Sequence, residues 1–259
     1  MNQSSESAEI ATFRIAYKNI LGSNWTRWTH PWFTRAPRVR RELLGKDGML
    51  ATVYFLGEVN RRPERRSLKR MLKGWEIVLS KGCNNAYSDA QVHRIIDQRE
   101  LPLPSGAKYQ RYVTIVSYEH VATGIRWTAA NTHLSSSGGM GHERARAKRE
   151  IEAHVLVELC QTHDVDVIAG DLNNSTVGPA TPRGILEAAG FVDWRVATEV
   201  ANAEYDTHHH IAHMPLRQHS HIDAIYLGPR VTASSGRVQI TEPDSSDHFG
   251  LVCTVNVRR

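Results

Sequence analysis

The chain has 259 residues, at the upper edge of one domain, and its 41% hydrophobic content is enough for one large core. No apolar run approaches the roughly 18 residues that a membrane span needs. The three widely spaced cysteines, Cys83, Cys160 and Cys253, form no CxxC pair and no disulfide framework, which points to a reducing, cytoplasmic setting. A net charge of +5 and an isoelectric point near 9.2 favour a polyanionic partner, although charge balance speaks of steering more than of chemistry. Nothing in the sequence requires a protein partner, so a monomer is expected.

Residues 1–10, MNQSSESAEI, are polar and lack an apolar stretch. They read as a disordered leader, not a signal peptide, ahead of a single domain over residues 11–259. ATFRIAYKNIL (11–21) alternates as a strand. LATVYFLGEV (50–59) is a continuous apolar run, the pattern of a strand buried on both faces. KYQRYVTIVSYEH (108–120) and GIRWTAANTHL (124–134) read as adjacent strands joined by a turn at Ala122–Gly124. HERARAKREIEAHVLVELC (142–160) has the length of a helix, with Ile151, Val155 and Leu159 on its expected apolar face. VDVIAGDL (165–172) is a strand, PRGILEAAG (182–190) a short helix closed by Gly190, and HIDAIYLG (221–228) and FGLVCTVNV (249–257) are further strands. Strands dominate with helices interspersed, which implies an α+β arrangement of packed sheets covered by helices.

Polar residues stand at the ends of these apolar runs. In VIAGDLNNS (167–175), Asp171 and Asn173 are two apart and so share one side of an extended chain. A carboxylate can hold or deprotonate a water, and an amide can both donate and accept. An ordinary Asx turn would explain this pair by itself. The pattern recurs, however: Asn19 sits late in the first strand, Glu58 at the end of the second, and His133 at the end of the strand TAANTHL. Asp223 precedes AIYL, and Asp247 and His248 precede the last strand.

The order N-I-L, E-V, N-T-H-L, G-D-L-N, I-D-x-I, S-D-H resembles the endonuclease/exonuclease/phosphatase superfamily over about residues 11–257, and GILEAAGFVD (184–193) resembles the stretch that follows G-D-x-N there. The resemblance implies a four-layer α/β-sandwich, with two packed mixed β-sheets flanked by helices, and divalent-metal-dependent hydrolysis of phosphoric esters. It implies Glu58 as the main ligand of magnesium (or manganese), with Asn19 and Asp247 nearby; hard oxygen donors suit these ions. It implies His248 against the phosphate and oriented by Asp223, Asp171 positioning or deprotonating water, Asn173 on a phosphate oxygen or that water, and His133 as a second imidazole. Asp89 is the nearest match for a carboxylate partner of His133, although a loop Asp in solvent explains it equally. The chain departs from the pattern at Lys18, Gly57 and His221, where the family commonly has Phe, Gln and Arg.

Basic residues cluster at 35–46, 60–73 and 144–149. Arg61 and Arg62, just after Glu58, are expected on the rim, where they would contact substrate phosphates; a solvated helix face is the bland reading. Trp25, Trp28 and Trp32 would be a base-stacking platform or a core-facing helical stripe, the latter being commoner. SSSGGMGH (135–142) would be a substrate loop or a plain connector. In THHHIAHMPLRQHSHID (207–223), His209 and His213 have zinc-binding spacing on a helix, but Pro215 and the lack of nearby cysteine favour a simple loop close to the rim. The expectation is a nuclease acting on DNA or RNA. The alternatives are the same chemistry on a phosphoinositide, sphingolipid or small phosphate ester, and a non-catalytic binding module, against which the retained polar set counts.

Overall fold

Alternation in IATFRIAYKN gives the first strand two apolar faces. In β1 (Ile10–Asn19), Ala11, Phe13, Ile15 and Tyr17 enter one buried cluster and Ala16 enters another. The computed structural model describes residues 9–22, 30–104, 110–138, 141–209, 221–240 and 242–259. Most of the expected leader lies outside that set, and β1 starts inside it, at Ile10.

The other strands are β2 (Val53–Gly57), β3 (Trp75–Val78), β4 (Asn85–Asp89), β5 (His93–Pro102), β6 (Tyr112–His120), β7 (Arg126–His133), β8 (Val167–Asp171), β9 (Val192–Asp193), β10 (Val200–Ala201), β11 (Asp223–Leu227), β12 (Val231–Gln239) and β13 (Gly250–Arg258). They form a seven-stranded sheet, β10-β12-β13-β1-β2-β4-β3, and a six-stranded sheet, β5-β6-β7-β8-β11-β9. Both sheets are mixed: β1 runs parallel to β2 and antiparallel to β13, and β7 runs parallel to β8, which is antiparallel to β11.

Three apolar layers hold these parts together. Residues of both sheets, such as Phe13, Phe55, Trp127, Ala169 and Val255, fill the space between them. Helices α1 (Trp32–Leu44) and α2 (Arg62–Met71) cover the outer face of the first sheet through Val39, Leu43 and Leu68. Helices α3 (His142–Thr162) and α4 (Pro182–Ala188) cover the second through Leu156, Cys160 and Leu186; a single turn, α5 (Trp194–Ala197), follows. This is the four-layer sandwich of two mixed sheets that the motifs implied.

The differences from the sequence reading have local causes. Strand β5 escaped it because its outward residues are charged and exposed, as befits a sheet edge. Helix α2 buries only Glu64 and Leu68, too few positions for a visible period. Helix α3 is where expected, but its buried face is turned from the expected one, with Val155 and Leu159 packed half-buried against the core. Ile151 is 55% exposed, and the buried residues are Ala145, Arg149, Glu152, Ala153, Leu156 and Cys160. Two charged side chains turn inward there because they hold Ser135: Glu152 accepts from Ser135 N and Oγ at 2.8 and 2.6 Å, and Arg149 donates to its carbonyl at 3.0 Å.

One core residue carries a pH signature. His93 is fully buried among Phe13, Trp127, Tyr118 and His120, with Nε2 3.1 Å from Thr52 Oγ1. Burial, aided by the charge of His120, lowers its pKa from 6.5 to about 3. The unfolded chain therefore takes the proton first as pH falls. The stability that this residue contributes is complete above about 6.5 and is lost between there and about 3, at up to about 1.4 kcal/mol per pH unit. Urea unfolding from pH 7 to 5 should show the wild type losing stability more steeply than His93→Phe; parallel pH dependences would contradict this.

Candidate active site

Strand parity places the polar set. Asn19 continues the Ile15–Tyr17 series of β1, and Asp171 continues Val167–Ala169 in β8. His133 continues Trp127–Ala129 in β7, Asp223 precedes Ile225–Leu227 in β11, and Asp247 precedes Phe249–Leu251. Each series fills the space between the sheets, so each polar residue emerges at the mouth of that space. Direction then selects one rim. The parallel pairs β1–β2 and β7–β8 bring carboxyl ends together, while β11 and β13 present amino ends there. Asn19 lies opposite Gly57, and Asp171 lies opposite both His133 and Asp223.

Asn19 and Glu58 form one side of the mouth. Asn19 Nδ2 donates to Glu58 Oε1 at 3.1 Å and approaches Asp171 Oδ2 at 3.4 Å. Glu58 Oε2 accepts from Gly22 N at 2.9 Å and Asn19 Oδ1 from Leu21 N at 3.0 Å. Glu58 leaves the strand with φ of 60° and Asn173 with 49°. Such left-handed conformations cost about 1–3 kcal/mol for residues other than glycine and concentrate at functional sites. Gly57 fits beside Tyr17: a Cβ there would stand 2.7 Å from the Tyr17 hydroxyl, so a larger residue before Glu58 would have to displace this buried ring.

Asp171, Asp223 and the two histidines form the other side. His248 Nδ1 is 2.8 Å from Asp223 Oδ2, and His133 Nε2 is 3.6 Å from Asp171 Oδ2. Asp171 Oδ1 accepts from Asn173 N at 2.8 Å, and Asn173 Nδ2 donates to Leu134 O at 3.0 Å. Burial, reinforced by the charge of Asp223, raises Asp171 to about 7. Burial alone would lower His248, but Asp223, Asp247 and Asp171 override it and hold the imidazole up at about 10. Burial, with the positive charges of Arg111 and His248, keeps His133 well below its ordinary value. The rim thus holds an imidazolium, a neutral imidazole and a carboxyl group poised near neutrality. Widely separated proton affinities of this kind are what acid–base chemistry needs.

Buried residues that no local pattern announces fix these loops. Lys18 Nζ donates to His248 O and to Glu42 Oε1, both at 2.8 Å, and Ser245 Oγ donates to Glu42 Oε2. Arg35 donates to the carbonyls of Ile20, Leu21 and Ser245. Arg183 donates to Asp193 and to the carbonyls of Asn174, His221 and Asp223. Ser246 Oγ donates to Asn19 O at 2.7 Å, tying the segment before β13 to the end of β1. Arg35 and Arg149, counted among the basic clusters, are therefore buried struts and not surface for a polyanion.

Asp89 is not the partner of His133. Ser88 pairs with Val53 at the start of β2, whereas Glu58 lies past the end of that strand, so Asp89 stands at the opposite rim and accepts from Gln91 N. His133 has Asp171 beside it instead. Arg61 and Arg62 lie where α2 begins, three and four residues past Glu58; Arg62 is exposed and Arg61 half-buried. Trp32 is buried in the cluster beneath α1, and Trp25 and Trp28 lie outside the described residues, as does His213. Ser135, in the loop after His133, is buried and held. His208, whose Nε2 is 3.9 Å from Asp247 Oδ2, also reaches this rim; the histidine run is visible in the sequence, but its direction is not.

The donor set fits a hard divalent cation. Carboxylates of Glu58, Asp171, Asp223 and Asp247 share one rim, and the buried Asp223 Oδ1 has no hydrogen-bond partner among the described residues. Oxygen donors with crowded negative charge are what magnesium or manganese requires.

Neither a family model nor a curated protein matches the sequence. Solved structures do. An endonuclease/exonuclease/phosphatase family protein from Bacteroides thetaiotaomicron has a TM-score of 0.81 at 15% identity, with 97% of this chain and 100% of that chain covered. A mannosyl-6-phosphatase from the same organism has a TM-score of 0.74 at 16% identity, covering 94% and 99%. D. rerio TDP2 complexed with single strand DNA product has a TM-score of 0.71 at 16% identity, covering 95% and 99%. The architecture implied by six strand-end motifs is the one these structures share, and the chain has the endonuclease/exonuclease/phosphatase fold.

Proposed function

We infer that this protein hydrolyses phosphoric esters with a divalent metal, and that its substrate is a phosphodiester of nucleic acid. The observation that carries the reading is the convergence at one rim of a carboxylate-held imidazole, Asp223 Oδ2 lying 2.8 Å from His248 Nδ1, with Asp171, which stands opposite both Asp223 and His133 and accepts from the same Asn19 amide that donates to Glu58. Magnesium or manganese at Glu58, with Asn19 and Asp247, would neutralise charge on the scissile phosphate. Asp171 then holds the attacking water and accepts its proton, because a base works best near the operating pH. Asn173 orients that water or a phosphate oxygen. His248, charged throughout the neutral range, donates to the phosphate and does not act as base. His133, neutral, is the second imidazole on the phosphate and assists the leaving oxygen by a hydrogen bond from its ring N–H, the proton that this oxygen finally takes coming from solvent.

Nucleic acid is favoured by the basic start of α2 beside Glu58 and by likeness to a structure complexed with single strand DNA product. Likeness to a mannosyl-6-phosphatase supports a second reading, a phosphate ester of a small molecule. The deciding assay incubates the protein with magnesium or manganese and labelled single- and double-stranded DNA and RNA, alongside a mannose 6-phosphate ester and bis-p-nitrophenyl phosphate. Metal-dependent strand cleavage is expected; turnover of only the small esters would transfer the function to the second reading. Arg61→Ala with Arg62→Ala should weaken nucleic-acid binding and reduce the slope of log K against log salt by up to about 0.7–0.9 for each phosphate that is no longer neutralised. An unchanged slope would leave both arginines as ordinary surface.

A further inference from the structure

His208 belongs to the histidine run that the reaction above leaves unused. Its backbone is stitched to the segment before β13: His209 N donates to Asp247 O at 2.7 Å, and Phe249 N donates to Thr207 O at 2.8 Å. These bonds flank His208 and His248, which face each other as an antiparallel bridge. In such a pair, with hydrogen bonds on either side and none between, the two side chains lie close on one face. The rings meet edge to face at 4.9 Å. Thr207 is fixed in turn, its Oγ1 accepting from Asp223 N at 3.0 Å.

Asp247 lies between the two rings. Its Oδ2 is 3.9 Å from His208 Nε2, and its Oδ1 is 3.8 Å from His248 Nε2. Both separations are too long for hydrogen bonds and somewhat longer than the about 3.4 Å between two ligands of a tetrahedral ion at about 2.1 Å each, so small turns of the Asp247 carboxylate and the His208 ring would close the set on one ion. One ligand atom from each of the three residues lies within 4.8 Å of the others. His248 Nδ1 is engaged by Asp223 Oδ2 at 2.8 Å. A carboxylate behind one ring nitrogen, leaving the other to face outward, is the usual support of a metal-bound histidine. His208 and Asp247 are partly exposed, so the position is open to solvent.

We propose that His208, Asp247 and His248 form a second cation site, which takes a nitrogen-seeking divalent ion such as zinc and leaves one coordination position open. Two imidazoles and one carboxylate suit zinc far better than magnesium, and the ion takes the place of the proton on His248 Nε2, which is released to solvent. On the functional reading given above, zinc there inhibits hydrolysis, because it occupies the His248 nitrogen that faces the phosphate and draws Asp247 away from Glu58.

The test separates binding from activity. Zinc binding is followed calorimetrically without substrate, and cobalt(II) serves as its spectroscopic substitute, for the wild type, His208→Ala and Glu58→Gln. The wild type should bind one ion tightly in the presence of excess magnesium, with visible cobalt bands of low coordination number. His208→Ala should lose about 10–100-fold or more in affinity, and Glu58→Gln should keep the bands. Unchanged binding in His208→Ala would overturn the proposal and mean that other histidines of the segment hold the ion. Loss of the bands in Glu58→Gln would also overturn it and place the ion with the oxygen ligands. Zinc inhibition of magnesium-dependent turnover, measured against each variant's own zinc-free rate, should weaken in step in His208→Ala. Failure of the hydrolase reading would instead appear as no turnover in the wild type at any magnesium concentration, with the cobalt bands intact.

Discussion

Glu58→Gln should reduce magnesium-dependent turnover by on the order of 10²–10³-fold, since a catalytic metal supplies several kcal/mol and each tenfold is about 1.4. The carboxylate has two tasks. Its Oε2 accepts from Gly22 N, and its Oε1 accepts from Asn19 Nδ2. A glutamine keeps the first bond through its oxygen and then faces the Asn19 amide donor to donor. Asn19 cannot simply turn over, because its Oδ1 already accepts from Leu21 N. The substitution therefore removes a charge and disorients the neighbouring ligand together. It should not unfold the protein, because Glu58 is one of the charges that raise Asp171 and its loss relieves repulsion. Magnesium titration by calorimetry and a thermal melt separate these effects. Near-normal turnover at limiting magnesium, with an unchanged melt, would remove Glu58 from the metal-binding role.

His248→Gln should lower turnover by about 10²–10⁴-fold. Glutamine is preferable to alanine as the probe because Asp223 is fully buried. Leaving that carboxylate without a partner would destabilise the fold by about 3–5 kcal/mol and confuse the result. Glutamine can still donate to Asp223 but carries no positive charge. Loss of activity with a retained cooperative unfolding transition is the expected outcome; an active variant would exclude the imidazolium from the mechanism. The pH dependence has a definite sign. Asp171 must be ionised to accept a proton, so activity should rise with pH through about 7, its value in the fold, and should persist upward until His248 loses its proton near 10. A bound cation at Glu58 would move the lower limb downward, because positive charge favours the carboxylate.

The sequence by itself determined the positions of the strand-end polar residues. Apolar runs ending in Asn19, Glu58, His133 and Asp171, or beginning after Asp223 and His248, are local patterns, and a strand's period of two is legible without a partner. Helix α3 was legible as a helix for the same reason. Its buried face was not, because Arg149 and Glu152 are inward only by virtue of Ser135, which arrives from another element. The same holds for Lys18 with Glu42, and for Arg35, whose acceptors lie in three separate segments. A buried charge is stable only with its partners in place, and partners remote in sequence leave no mark on local composition. Between the two readings of Asp89, partner of His133 or solvent-facing residue, its motif does not decide, because it shows neither strand direction nor sheet order; the antiparallel pairing of β4 with β2 sends it to the far rim. Tertiary structure alone decided that His208 stands against His248, since the bridge between residues forty positions apart is made by strand pairing. Proton affinities were likewise beyond the sequence. The rise at Asp171 favours its neutral form, because burial dominates there, and the rise at His248 favours its charged form, because three carboxylates converge on it. Neither the burial nor the convergence exists until the two sheets close over the rim.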